Sequence, residues 1–228
     1  MAANLKAVQE RITAAARRAG RDPAGVRLIA VTKTVDLERL RQAAAAGHRC
    51  FGENYVQEAQ AKITALGPGL QWHFIGHLQS KKSGAAVNLF DLIHSVDRLK
   101  LAQALDQAAA RLHQVQDILI QVNLAGEGTK SGAAPEEVPD LLREIARMAH
   151  LRVMGLMTMP PWLDPEEVRP YFRALRELRH RLQDMEIVPN PLTELSMGMS
   201  GDYEAAVEEG ATLVRVGTAI FGSRPPRG

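Results

Sequence analysis

The chain has 228 residues, 46% of them apolar, which suits one large domain or two small ones with a sizeable core. Lys and Arg total 28 against 26 Asp and Glu, a formal net charge of +2 with both signs interspersed. That balance argues against a basic nucleic-acid face or a polybasic membrane surface. The lone Cys50 excludes an intrachain disulfide framework and fits a reducing, cytoplasmic compartment.

The first twenty residues lack the apolar core of a secretory signal. Leu5, Val8, Ile12 and Ala15 recur at helical spacing, which predicts an amphipathic helix that docks on the rest of the chain. A transit peptide fits less well, because Glu10 and Asp22 interrupt the basic character. No apolar stretch approaches membrane-spanning length.

From residue 26 onward, short apolar runs alternate with helical patterns. Strands are predicted at 26–31, 49–52, 71–76, 92–96, 117–123, 152–157, 194–198 and 213–217. Between them, "DLERLRQAAAAG" reads as a helix with Asp36 as N-cap and Gly47 as its stop, and Asp97 takes the same capping role before "RLKLAQALDQAAARLH". "APEEVPDLLREIARMAH" and "RPYFRALRELRHRLQDM" read as further helices, "MPPWLDPEE" as a surface loop and "RPPRG" as a frayed tail. The runs are rich in Val, Ile and Leu without clean alternation, as parallel strands buried on both faces require. Eight strands separated by helices predict an α/β fold, a single (β/α)8 TIM barrel over 1–228 with an extra N-terminal helix. An open doubly wound sheet is the competing architecture, but no G-x-G-x-x-G follows the first strand.

Barrel sites lie at the C-terminal ends of the strands. There the first strand presents Lys33, the second Glu53, Asn54 and Tyr55, and the fifth a glycine-rich loop with Lys130. "GMSGDYEAAVEEG" after the seventh places Ser200 beside a helix start, and "VGTAIFG" after the eighth adds Gly217 and Thr218. Free N–H groups and hydroxyls at these two loops suit a phosphate dianion, although Ser200 also reads as a plain helix N-cap. Arg215 interrupts an apolar strand. It is either a structural ion pair with Glu194 or Glu53 or a donor aimed at a ligand in the barrel mouth. Lys33 is either a desolvated amine that attacks an aldehyde or a lysine paired with Glu53. A lysine, a phosphate cradle and an arginine on one rim together match an aldehyde carrying a phosphate and a heteroaromatic ring, pyridoxal 5′-phosphate (PLP). Cys50 reads as a small buried hydrophobe, and His73 and His77 as satisfied loop histidines rather than a metal pair.

The stretches "AVTKT", "FGENYVQE", "WHFIGHLQSKK", "HSVDR", "GLMTM" and "MGMSGDYEAAVEEGATLVRVGTAIFG", in that order, resemble the YggS/PROSC family of PLP-binding homeostasis proteins from residue 26 to 224. The resemblance implies one barrel of the type III PLP fold, like the N-terminal domain of alanine racemases. It implies that Lys33 forms the imine with PLP, that Asn54 lies near the ring, that Ser200, Gly217 and Thr218 hold the phosphate, and that Arg215 faces the ring nitrogen. Two departures are Lys81 before Lys82, where the family more often has Asn, and Gly201, where an acidic residue is common.

A PLP carrier acting in intracellular PLP homeostasis without turnover is the expected role. A small amino-acid racemase is the main alternative, and a lysine-imine aldolase without cofactor is a third. An arginine opposite the ring nitrogen weakens the electron sink, and a racemase needs two bases on opposite faces of the substrate. None of Tyr55, Tyr171 and Tyr203 is marked as a base, and the eleven residues after Gly217 leave no room for a second catalytic domain. Apo PLP-dependent enzymes and free amino acids are the further partners considered, with Lys130 as a candidate second amine in PLP transfer and Lys82 beside it. A monomer in the cytoplasm is expected, with no metal.

Overall fold

The computed structural model describes residues 1–126 and 131–222. Lys130 and the "RPPRG" tail lie outside the described residues. The strands are β1 (Arg27–Val31), β2 (Cys50–Glu53), β3 (Gln71–Phe74), β4 (Leu92–Val96), β5 (Gln116–Val122), β6 (Leu151–Thr158), β7 (Glu194–Ser196) and β8 (Leu213–Val216). They pair in parallel in sequence order, and β8 returns to β1 to close an eight-stranded barrel, as the alternating pattern predicts. Around it run α1 (Ala2–Arg18), α2 (Leu37–Ala45), α3 (Val56–Leu66), α4 (Ser83–Leu89), α5 (Leu99–Arg111), α6 (Val138–Ile145), α7 (Pro165–Asp184), α8 (Tyr203–Glu208) and α9 (Thr218–Phe221).

Boundaries differ most where the chain bends into the rim. β3 and β7 each end two residues before the predicted limit, ahead of Gly76 and Gly198. The ladder nevertheless continues past both ends, with Ile75 N donating to Glu53 O at 2.9 Å and Arg215 N to Gly198 O at 3.0 Å. A Cβ on Gly76 would collide with the backbone of Asn54, so glycine there allows the end of β3 to lie against a predicted site residue.

Asp36 caps α2 as predicted, accepting from Arg39 N at 2.9 Å, and Gly47 follows the helix at φ +93°. Asp97 does not cap α5. Arg98 occupies the cap position, and the Asp97 carboxylate is taken by the Arg98 guanidinium and by Gly132 N at 3.3 Å, which ties the end of β4 to the segment after β5. The predicted surface loop before α7 is partly helix. Asp164 and Glu167 form a reciprocal capping box around Pro165 at the first helical position, which starts α7 four residues before Arg169.

The predicted docking face of α1 is buried, with Leu5, Val8, Ile12 and Ala15 joined by Ala16. It packs against α8 and α9, where Asn4 Nδ2 donates to Ile220 O at 2.9 Å. Removing one aliphatic side chain of this face from water contributes about 1.5–3 kcal/mol.

Inside the barrel, side chains alternate along each strand and stack in layers. Ile29, Cys50, Leu92, Leu119, Met157 and Leu213, from six strands, form an apolar plug of their own. Two residues further along their strands come His94 and Arg215. The interior thus turns polar toward the C-terminal rim, and a cavity opens there.

Candidate functional site

The rim cavity has a volume of about 360 Å³, and Lys33, Asn54, Ser200, Arg215, Gly217 and Thr218 all line it. Met159, Trp162 and Leu163, from the segment between β6 and α7, form an exposed apolar lip. Among the described residues, neither a tyrosine nor a histidine lines the cavity.

Lys33 follows β1 by two residues, in a turn that holds it half-buried. The next residue, Thr34, has φ +63°, a left-handed conformation that a β-branched side chain adopts at a cost of about 1–3 kcal/mol. The buried Lys62, Glu53 and Thr32 and the half-buried Glu58 hold the turn. Lys62 Nζ donates to Thr32 O, Glu53 Oε1 and Glu58 Oε1, each at 2.6 Å, and Thr34 N donates to Glu58 Oε1 at 2.7 Å. Thr32 Oγ1 donates to Glu53 Oε1 at 2.6 Å. The Glu53 carboxylate considered as a partner for Lys33 is therefore engaged by Lys62. Burial raises the Glu53 carboxyl above the usual carboxylate range, while Lys62 and Thr32 pull it back. The same carboxylate accepts from Asn54 N at 3.3 Å, so one ion pair braces two cavity residues.

Arg215 makes no ion pair with Glu194 or Glu53. Its Nη1 donates to Ser196 Oγ at 2.6 Å and its Nη2 to Thr158 O at 2.9 Å, while Thr212 Oγ1 donates to Glu194. The guanidinium is buried, and burial lowers its pKa to about 10 against the opposing pull of Asp202. It therefore stays cationic at neutral pH.

Ser200 does not cap α8. Asp202 is the N-cap residue there, and its Oδ1 is engaged by Met199 N. Ser200 Oγ instead accepts from Gly217 N at 3.3 Å and Ala219 N at 3.4 Å, stitching the loop after β7 to the loop after β8. A Cβ on Gly217 would touch only Val31, at 3.4 Å, and one on Gly201 would meet nothing within 4 Å. Packing within the protein thus does not by itself demand glycine at either place. Both border the cavity, where an added side chain would compete with a ligand for room. Asn54 Oδ1 is buried and has no hydrogen-bond partner among the described residues. A buried acceptor left so is an exception that a ligand donor would resolve.

One other expectation changes. His73 is not a loop histidine. It sits within β3, buried, with His94 Nε2 at 3.0 Å and Cys50 Sγ at 3.6 Å. His77 lies past the strand, exposed, and pairs with Ser131 Oγ at 3.0 Å. Cys50 is a buried thiol, as expected, and burial pushes its pKa up to about 12. Lys81 and Lys82 lie in a short 3₁₀ turn and do not line the cavity. Sequence reasoning missed Lys62, His94 and Ser196. His94 carried a signal, since it interrupts the largely apolar strand Leu92–Val96, whereas Ser196 shares its three-residue strand with Glu194 and did not stand out.

The family model for the N-terminal domain of alanine racemase matches residues 3–225. A pyridoxal phosphate homeostasis protein of Aquifex aeolicus is 47% identical over 222 residues, covering 96% of each chain. PipY of Synechococcus elongatus PCC7942, solved with PLP bound, is 41% identical with a TM-score of 0.83, covering 94% of this chain and all of that one. An alanine racemase of Clostridium difficile superposes at a TM-score of 0.74 with 14% identity, over 98% of this chain and 57% of its own, a likeness of fold. With its closed barrel, its N-terminal helix and a relative this similar over nearly its whole length, the chain belongs to the pyridoxal phosphate homeostasis protein family, built on the alanine racemase N-terminal fold.

Proposed function

We propose that the chain binds PLP in the rim cavity and holds it covalently on Lys33 without turning over a substrate. One observation carries this reading. A lysine, a buried cationic arginine and an Asn54 Oδ1 without a partner among the described residues share one cavity with Ser200, Gly217 and Thr218. The donor set fits the group. Bound PLP supplies an electrophilic aldehyde, a phosphate dianion and a basic ring nitrogen.

Lys33 is the amine at the cavity that would hold the aldehyde as an imine, with water as the leaving group. Ser200 and Thr218 present hydroxyls to the phosphate, and Gly217 keeps the backbone close to it. Arg215 donates to the ring nitrogen. As a cation it has no lone pair with which to take a proton and is a poor proton donor, so the nitrogen stays unprotonated and withdraws electrons weakly. Asn54 Oδ1 is an acceptor that would take a hydrogen bond from a donor on the bound group. The Asp164 and Asp202 carboxylates that also border the cavity are committed to backbone N–H groups at helix starts. A racemase needs a second base across the substrate, and no tyrosine or histidine among the described residues stands at the cavity. The carrier reading follows, for a cytoplasmic monomer of one domain whose partners are PLP and the apo-enzymes or free amino acids that receive it.

Borohydride reduction of PLP-loaded protein followed by peptide mapping tests the assignment. The adduct is expected on Lys33, and Lys33→Ala should retain only weak binding through the phosphate. An adduct on another lysine, or racemisation of an L-amino acid that disappears in Lys33→Ala, overturns the reading.

A further inference from the structure

A continuous chain of buried polar groups crosses the barrel interior beneath the cavity and ends on Arg215. Arg215 Nη1 donates to Ser196 Oγ at 2.6 Å, Ser196 Oγ lies 2.8 Å from His94 Nδ1, His94 Nε2 lies 3.0 Å from His73 Nδ1, and His73 Nε2 lies 3.6 Å from Cys50 Sγ. The five residues come from five strands, and each is at most 5% exposed.

The proton inventory fixes the direction of this chain. A guanidinium only donates, so Ser196 Oγ accepts from Arg215 and has a single hydrogen to give. His94 Nδ1 is the other group bonded to that hydroxyl. If Nδ1 carried a hydrogen, Ser196 would accept twice and its own proton would have no acceptor among the described residues. Ser196 therefore donates to His94 Nδ1, His94 donates from Nε2 to His73 Nδ1, and His73 donates from Nε2 to the Cys50 sulfur. Each ring then makes one donation and one acceptance, which a neutral imidazole alone allows. Burial keeps both rings neutral, with the His73 pKa lowered to about 3.

We propose that His94 and His73 are positioning residues for Arg215. Through Ser196 they fix the orientation in which the guanidinium faces the cavity, and so the hydrogen bond it gives the ring nitrogen of the cofactor. The inference rests on the PLP reading above. Among the described residues Arg215 has no carboxylate partner to set its plane, and its two anchors are one hydroxyl, Ser196 Oγ, and one carbonyl, Thr158 O. The carbonyl is fixed by β6. The hydroxyl is a rotor, and His94 is what sets it.

The experiment loads the protein with PLP labelled with 15N in the ring and compares wild type, His94→Leu, His94→Asn and Arg215→Gln. Asparagine keeps an acceptor near the position of Nδ1, whereas leucine fills the space without one. Expected are an intact Lys33 adduct after borohydride in the histidine variants, a ring-15N resonance in His94→Leu displaced toward that of Arg215→Gln, and recovery of most of the wild-type position in His94→Asn. A merely structural role would lower the melting temperature and leave the resonance in place. That outcome, with the adduct intact, overturns the inference and spares the PLP reading, whereas absence of any adduct in wild type fails the PLP reading itself. If His94→Leu does not fold, the histidine 15N–1H correlations of wild type decide. Hydrogen on Nε2 of both rings supports the chain as drawn, and hydrogen on His94 Nδ1 overturns it.

Discussion

Beneath Lys33, an ammonium and a carboxylate meet in the interior, Lys62 against Glu53 at 2.6 Å with side chains 7% and 0% exposed. Beneath Arg215, the buried groups are two neutral imidazoles, a hydroxyl and a thiol, and among the described residues no opposite charge touches the guanidinium. Both clusters brace a side chain of the cavity, but they treat charge in opposite ways. The ion pair is costly to bury and becomes costlier still when one partner is lost, because the survivor is a bare charge in a poor dielectric. The neutral chain carries little Coulomb energy. Its worth lies in directed hydrogen bonds, and its loss is felt more in orientation than in stability.

The largest expected effect follows from this contrast. Lys62→Met leaves Glu53 without its nearest counter-charge and should cost about 3–5 kcal/mol in urea unfolding at neutral pH. A Glu53→Gln/Lys62→Met double variant should recover most of that loss, because no charge is then stranded. Two single variants whose costs simply add would show that the pair is not coupled as its geometry requires.

The two clusters should also respond to acid with opposite sign. Burial depresses the folded-state pKa of His73 to about 3 from an ordinary 6.5, with Arg27 adding to the shift, and lowers His94 as well. The unfolded chain therefore binds protons first. The stability that the His73 ring contributes is complete above about 6.5 and is lost as pH falls toward 3, by up to about 1.4 kcal/mol per pH unit, and the lowered His94 adds a loss of the same sign. Glu53 runs the other way. Its folded pKa is raised, so the stability linked to its protonation is present below the ordinary carboxylate value of 4.5 and is lost as pH rises through the folded value. Urea unfolding between pH 7 and 5 should show a declining stability that flattens in a His73→Gln/His94→Asn variant. Glu53→Gln should leave that decline in place or steepen it. An equal slope in wild type and the double-histidine variant would contradict the neutral chain.

The same contrast explains what could be read from the sequence. Lys33 and Arg215 stood out because each puts a charge into an apolar run, and a charge at a strand end asks for a reason. The strands themselves were legible because sheets covered on both faces need unbroken runs of Val, Ile and Leu. His94 sits in the apolar run "LIHSV" in the same way, yet its partner Ser196 lies 102 residues away, and no local pattern links them. Lys62 was hidden differently. In "VQEAQAKITAL" it reads as one more solvated helical lysine, four residues from Glu58, and only the closed barrel turns it inward onto Glu53. Lys33 was instead paired with Glu53 in one reading because both end neighbouring strands. Asp97 failed as a cap for a related reason. A carboxylate before a helix is a local signal, and its actual partner, Gly132 N, lies beyond the next strand.

The smallest expected effect sharpens the comparison by keeping the chemistry and changing the dielectric. α1 and α8 are joined by the ion pairs Arg11–Glu204, Arg18–Glu204 and Arg18–Glu208, on side chains between 23% and 60% exposed. Here water already solvates both partners, so each loses little solvation on pairing and gains little from it. Arg11 also lies over the Tyr203 ring at 5.3 Å, and a variant should keep its stem. Arg11→Met is therefore expected to cost only about 0.2–1 kcal/mol at low salt. That difference should shrink further at 1 M salt, where screening acts within about 3 Å. Lys62→Met should keep its full cost under the same conditions, because salt does not reach Glu53. Equal salt sensitivity for the two variants would mean that the Glu53–Lys62 pair is solvated in solution. The turn carrying Lys33 would then be held by Thr34 N and Glu58 rather than by a buried charge.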